Sequence, residues 1–226
     1  NVVANYLMEG FDIIESAQLR VGALPQFPNN KMKYNITWSP AGVINEYIEH
    51  CDSVVDSNYM KVKALDGLEH LVINGKEYEA FNTSGGVGTL PESYKGRIQN
   101  INYKSIRYPG HCDYMKFFLN DLGYRHNKNG AIDVFNTHVP RTREDVVVLF
   151  IKVIGFKNNQ LVEETYTKEI YPDVINRKDF TAIQISTAAG LMGSVEYVAK
   201  NNVTGFIKQE SVPFRAYSKN KYTKIY

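Results

Sequence analysis

"DVVVLFIKVIGFKNNQLVEETYTKEIY", residues 145–171, decides the fold class. Its first arm, Val146 to Phe156, is almost wholly apolar and rich in β-branched and aromatic residues. That composition suits a strand in the middle of a sheet, covered on both faces. Asn158-Asn159 then reverses the chain, and the return arm completes a hairpin. Working back from it, residues 51–82 break into the short β segments "SVVD", "YMKVKAL", "HLVING" and "KEYEAFNT", with Asn74-Gly75 as a second hairpin turn. "QNINYKSIRY" (99–108) and "ESAQLRVGALP" (15–25) read as longer strands, the latter closed by Pro25. Between them lies helical text. Ser39 caps and Pro40 opens a helix whose apolar face is Val43, Ile44, Tyr47 and Ile48. Residues 109–123 read as a helix with Met115, Phe118, Leu119 and Leu122 inward, and 178–202 as a long helix with small residues at Ala188, Ala189, Gly190 and Gly193. The sum is an α+β chain: a mixed, largely antiparallel sheet packed with helices.

The 226 residues are 43% apolar and 22% charged, enough for a substantial core in one or two domains. A formal charge of +2 gives no field that would draw nucleic acid or an anionic membrane as main partner. No apolar run approaches the length of a membrane-spanning helix. Two cysteines, Cys51 and Cys112, make no disulfide framework, so the expected setting is cytoplasmic with free thiols. Three glycosylation sequons begin at Asn35, Asn82 and Asn202 and matter only in a secreted protein. The chain opens without methionine, on an uncapped helical stripe of Val2, Val3, Tyr6 and Leu7 ended by Gly10. It reads as a piece of a longer protein, cut at a domain boundary.

Several constellations carry chemistry. The glycine-rich loop Ser84-Gly85-Gly86-Val87-Gly88-Thr89 either exposes backbone amides to an anion or is a turn needing positive φ. Pro91 stands where a dinucleotide fingerprint needs its third glycine, and no Gly-Lys-Ser/Thr follows. In "KSIRYPGH" (104–111), Arg107 ends a strand before a Pro-Gly turn, a placement that points a guanidinium fork into a cleft at the sheet edge. Ser105 adds a donor, and His111 can exchange a proton near neutral pH. The alternative is a surface arginine paired with a glutamate. His50-Cys51 and His111-Cys112 are adjacent pairs, whose side chains diverge, so no metal site is expected. No Gly-x-Ser-x-Gly, Ser-x-x-Lys or His-Glu-x-x-His motif supplies a nucleophile or zinc site. The basic, aromatic tail 205–226 reads as a segment that packs on something outside this chain. Trp38, the only tryptophan, either fills a core gap or walls a pocket beside a helix N-terminus.

Three ordered blocks, "GALPQFPNNKMKYNITWSPAGVINEY", "EAFNTSGGVGTLPESY" and "NYKSIRYPGH", resemble the saccharopine dehydrogenase family, and most of all its bacterial branch that includes lysine 6-dehydrogenase. The blocks span about residues 10 to 120, and the later hairpin and helix follow the family more loosely. The resemblance implies an NAD(P)-dependent amino-acid dehydrogenase, of which this chain is the substrate and dimerisation domain, with the Rossmann domain absent. Residues 1–204 would be the α+β substrate domain, and 205–226 a tail leading back to the Rossmann domain. NAD or NADP would be bound mainly by that missing domain. The partners implied are an amino-acid substrate, the protein's own Rossmann domain and a second copy in a homodimer.

By position, the resemblance makes Arg107, Ser105 and Ile106 the substrate-contacting stretch, with the arginine on a carboxylate. It makes Trp38 and Ser39 the contact with the cofactor. Thr89, Gly86 and Val87 would surround the reacting end of the substrate, and His111 or Tyr108 would transfer the proton. Saccharopine reductases carry a second substrate arginine near Val87, and this loop has none. That departure leaves lysine or another amine as well as saccharopine open as the substrate. The non-enzymatic alternative is a binding or dimerisation module on the same fold, and a nucleic-acid-binding tail is the further rival.

Overall fold

The computed structural model describes residues 1–226. Helix α1 (Val2–Met8) leads into the long strand β1 (Ile13–Pro25), and α2 (Pro40–Ile48) follows a loop. Two hairpins come next: β2 (Cys51–Val55) with β3 (Asn58–Val62), then β4 (Glu69–Ile73) with β5 (Lys76–Asn82). A one-turn helix α3 (Leu90–Ser93), strand β6 (Ile98–Arg107) and helix α4 (His111–Lys116) complete the first half. The second half runs α5 (Lys128–His138), β7 (Asp145–Lys157), β8 (Gln160–Ile170), the short pair β9 (Asp173–Ile175) and β10 (Lys178–Phe180), then α6 (Ala182–Asn201) and α7 (Phe214–Ser218).

Eight strands form one open sheet along the order β3-β2-β6-β1-β7-β8, with the β4–β5 hairpin joined through β5 to β6. Only β1 and β6 run parallel, and every other pair is antiparallel. The apolar arm of 145–171 is covered on both faces where it enters the sheet, with Val146, Val147 and Val148 all buried. The turns follow residue chemistry. Asn158 and Asn159 adopt left-handed φ of 50° and 63°, and Asn74 and Gly75 adopt 49° and 77°, which suits the right-handed twist of two-residue hairpins.

Side chains alternate across β1, and the two faces diverge in character. Ala17 and Leu19 join α1, α3, β6 and β7 in a core of 16 buried residues. Val21 and Ala23, on the same face, border a cavity instead. A second core of 12 buried residues holds α2, α4 and α5 together around Phe81. On the opposite face Arg20 is buried and forms an ion pair with Glu69, while its Nη1 donates to Asn102 Oδ1 at 2.7 Å. Lys104 joins the same carboxylate at 2.6 Å, so this network pins the β4–β5 hairpin across the sheet.

Helix α6 is fixed at its start by two devices. Thr181 and Gln184 form a reciprocal capping box. The fully buried carboxylate of Asp145, first residue of β7, accepts from the amides of Ala182 at 2.7 Å and Ile183 at 2.9 Å. The helix thus starts at residue 182 rather than 178, because Asp173–Phe180 fold into the β9–β10 hairpin around left-handed Asn176 and Arg177.

Two other readings change, and one helix goes unread in the sequence. Residues 109–123 do not form one regular helix: a wider π turn, Phe117–Asp121, follows α4 and leaves Leu122 54% exposed. Helix α5 has weak apolar periodicity and is started by the Asn127 side chain, which accepts from Gly130 N. The tail packs on its own domain, with Val212, Tyr217 and Thr223 buried. Gly193 of α6 permits this, since a Cβ there would meet Thr223 and come within 2.9 Å of the Tyr217 ring. Asn35 and Asn82, two of the three sequon residues, are also buried.

Asp145→Ala removes an acceptor shared by two amides, one buried and one part-buried, and the expected loss of stability is about 2–3 kcal/mol. Urea melts check this, and Asp145→Asn, which keeps one acceptor, is expected to lose less.

Candidate functional site

A cavity of ≈ 1220 Å³ lies between the sheet and helix α6. Its floor is the sheet face bearing Val21, Ala23, Tyr103, Ser105, Arg107 and Val147. Thr37, Trp38, Ser39 and Glu46, from the start and far turn of α2, make one wall. Helix α6 roofs it with Ile183, Thr187, Ala188, Leu191 and Met192. Ile175 and Phe180 of the β9–β10 hairpin and Tyr222 and Ile225 of the tail close the sides.

The residues of this wall follow from local structure. Ser39 Oγ accepts from Gly42 N at 3.2 Å, and Pro40 occupies the first turn of α2. Gly42 lies so close under the indole of Trp38 that a Cβ there would collide with the ring. The helix start therefore sets the indole, which stands half-buried at the cavity wall. Strand alternation on β6 sends Tyr103, Ser105 and Arg107 to the cavity and Ile106 to the opposite face, where it is fully buried with Leu24, Tyr78 and Val148.

Arg107 is only 2% exposed, yet it makes no ion pair within the chain. Its Nε donates to Tyr47 Oη at 2.7 Å and its Nη1 to the Ile106 carbonyl at 2.8 Å, while Nη2 makes no hydrogen bond. The guanidinium stands over two rings, 5.4 Å from the centre of Tyr34 and 5.6 Å from that of Tyr47. Burial opposes its charge, but Tyr47, Tyr34 and Glu46 outweigh that and raise its pKa above the ordinary value. It is a cation at every accessible pH.

Tyr47 relays the restraint. With Arg107 donating to its oxygen, its hydroxyl proton goes to His111 Nε2, 3.0 Å away. His111 Nδ1 then donates to the Met32 carbonyl at 3.0 Å. One tautomer satisfies the whole chain: a neutral imidazole protonated on Nδ1. Burial, then the nearby Arg107 charge, drive the His111 pKa down to about 3.

His111 therefore lies behind the cavity, fully buried and stacked on Phe81, and does not border it. Tyr108 also points away: its hydroxyl donates to the Pro25 carbonyl at 2.9 Å and its ring stacks on Tyr78. The glycine loop is likewise elsewhere. Gly86 backs directly on the Tyr103 ring, Val87 is buried in the first core, and Thr89 donates to Glu210 at 2.8 Å. Of the ten sequence candidates, Trp38, Ser39, Ser105 and Arg107 share the cavity. Ile106, Tyr108, His111, Gly86, Val87 and Thr89 do not. Alternation explains Ile106 and Tyr108, and tail packing explains Thr89. Three site residues escaped the sequence reading: Glu46, Tyr103 and the anchor role of Tyr47. Tyr103 is legible at i−4 from Arg107 on the same strand face.

The comparisons with known proteins fit this architecture. The sequence pattern described as Saccharopine dehydrogenase C-terminal domain matches residues 1–219. The chain belongs to the saccharopine dehydrogenase family. Its fold is similar to that of the apo saccharopine dehydrogenase (L-Glu forming) of Saccharomyces cerevisiae, at a TM-score of 0.64 and 12% identity over 90% of this chain. It is also similar to the homospermidine synthase of Legionella pneumophila in complex with NAD, at a TM-score of 0.57 and 12% identity over 97% of this chain. The chain spans 64% and 52% of the length of those two proteins. At such identity the likeness establishes the fold alone. Within it, no helix of this chain is long and apolar enough to cross a membrane.

The pH dependence of His111 follows from its depressed pKa. The unfolded chain takes up a proton near pH 6.5 that the folded state refuses until about pH 3. Stability is thus full above pH 6.5 and falls by about 1.4 kcal/mol per pH unit as the pH drops through that window. Urea melts at stepped pH are expected to show this slope reduced by one proton in His111→Gln.

Proposed function

We propose that this chain is the substrate-binding domain of an NAD(P)-dependent amino-acid dehydrogenase that oxidises a C–N bond of saccharopine, lysine or a related amine. The observation that carries the reading is the cavity shared by Arg107 and Trp38, which stand 69 positions apart in the chain. The arginine is pre-oriented by Tyr47 and presents a free Nη2, as a carboxylate anchor requires.

The chain's own residues fit only the ring end of a nicotinamide cofactor. Trp38 offers an indole at the cavity wall beside Ser39, while no glycine fingerprint for a pyrophosphate is present and the loop 84–89 is turned away from the cavity. The phosphates and adenosine would belong to a nucleotide-binding domain beyond this chain. When bound, the nicotinamide supplies hydride exchange with the amine-bearing carbon. This domain binds and orients. Arg107 holds the carboxylate, Tyr47 and His111 hold Arg107, and α6 with Trp38 supplies apolar walls to an open cavity. His111 and Tyr108 do not border the cavity, so neither is placed to transfer the proton. Leu191 and Val195 of α6 are 65% and 48% exposed, apolar surface that suits the cover of that domain or of a second copy.

The test is NAD(P)-dependent oxidation of lysine and of saccharopine by the protein that joins this domain to its nucleotide-binding domain. Arg107→Ala is expected to lower kcat/KM by about 10²–10³-fold. Arg107→Lys, which keeps the charge and loses the fork, is expected to fall between the two. An unchanged kcat/KM in a folded variant removes Arg107 from the site.

A further inference from the structure

We propose that Glu46 is the counter-ion for the α-ammonium of the ligand, so that the cavity is built for an α-amino acid rather than for a simple carboxylate. The inference rests on the preceding reading, in which Arg107 takes the carboxylate.

Glu46 lies one residue before Tyr47 on α2, and its side chain borders the cavity while the Tyr47 side chain turns back to hold Arg107. The residue is half-buried. Its carboxylate accepts no hydrogen bond and joins no ion pair in the chain. Its surroundings are largely apolar, with 15 of the 23 lining residues hydrophobic. A carboxylate in such a place is costly unless something compensates its charge. Burial pushes the Glu46 carboxyl above the ordinary carboxylate range, the Arg107 charge opposes that shift, and Glu46 in turn favours the charge of Arg107. Even so, the two are not paired: Arg107 donates to Tyr47 and the Ile106 carbonyl, and not to Glu46. The restraint by Tyr47 holds the fork in place and keeps it from collapsing onto the acid.

Three charged residues line the cavity: Lys221 is exposed and stands 4.7 Å from the centre of the Tyr222 ring, while Arg107 and Glu46 stand on adjoining walls, close enough to interact and kept from contact. An α-amino acid has the charge pattern of that pair, with ammonium and carboxylate on one carbon. Its carboxylate would meet the free Nη2 of Arg107 and its ammonium the free oxygens of Glu46. A third unsatisfied group adjoins them: Thr37 Oγ1 is buried without a hydrogen-bond partner in a residue lining the same cavity. The apolar remainder, Val21, Ala23 and Val147 below and Leu191 and Met192 above, suits an aliphatic side chain.

The experiment is an NMR-monitored titration of the 226-residue chain with L-norleucine and with hexanoate, which share a carbon skeleton and differ in the amine. Wild type is expected to bind norleucine about tenfold more tightly than hexanoate. In Glu46→Gln the ratio is expected to fall to about one, with hexanoate binding equal or tighter, and the dispersion of the same spectra reports the fold. Norleucine no tighter than hexanoate in wild type, or an advantage that survives Glu46→Gln, overturns the proposal. So does an advantage shown only by 6-aminohexanoate, whose amine lies at the far end. Arg107→Ala separates the two readings. If hexanoate binding depends on Arg107 while norleucine ignores Glu46, the ammonium site alone falls. If hexanoate ignores Arg107, or neither probe binds saturably, the carboxylate anchor falls with it.

Discussion

The site depends on one restraint, the hydrogen bond from Arg107 Nε to the oxygen of Tyr47. A guanidinium taken out of water without a carboxylate must satisfy its donors some other way. Here it uses a phenol, a backbone carbonyl and the faces of two tyrosine rings. None of these neutralises the charge. The cation is therefore oriented yet still available, which distinguishes a binding arginine from a structural one. Arg20 on the opposite face of the sheet is the contrast: equally buried, it is matched by Glu69 and Asn102 and has its charge neutralised.

Behind Tyr47 the restraint passes to His111 and the Met32 carbonyl, and so to the loop before α2. The same loop carries Trp38 and leads into the helix that bears both Tyr47 and Glu46. One short stretch, residues 32–47, thereby sets the indole, the acid and the anchor of the arginine. Two buried carboxylates fix the elements around it. Asp145 ties α6 to the sheet as a roof. Glu79 accepts from the amides of Gly110 and Cys112 at 2.7 and 2.6 Å and so fixes the turn after Arg107. The parts of the cavity formed by α6 and by the end of β6 are thus held by contacts outside it.

Much of this was legible in the residues. The hairpin 145–171 declared itself through an apolar arm and a left-handed Asn-Asn turn, and Ser39-Pro40 declared the start of α2. The substrate stretch 104–111 was legible in Arg107 but not in its neighbours. Grouping Ser105, Ile106, Arg107 and Tyr108 as one contact surface overlooks the period of two, which sends the even-numbered side chains to the far face. His111 looked like a proton carrier because its burial depends on Phe81, Tyr34 and Tyr47, none of them adjacent in sequence. Helix α5 was missed because Gly130 and its β-branched residues weaken the helical signal, and tertiary packing of Ala131 and Phe135 decides its formation. The tail was misjudged for a similar reason: its apolar residues looked unpartnered until Gly190 and Gly193 placed a groove beside them.

The most direct measurement is ¹⁵N NMR of the Arg107 Nε–H group in wild type and in Tyr47→Phe. The account predicts a slowly exchanging Nε proton in wild type that shifts on addition of a carboxylate. In Tyr47→Phe it predicts rapid exchange with solvent and a weakened response to the same anion. An Arg107 signal that exchanges freely in wild type, or one indifferent to both the phenol and the carboxylate, would contradict it.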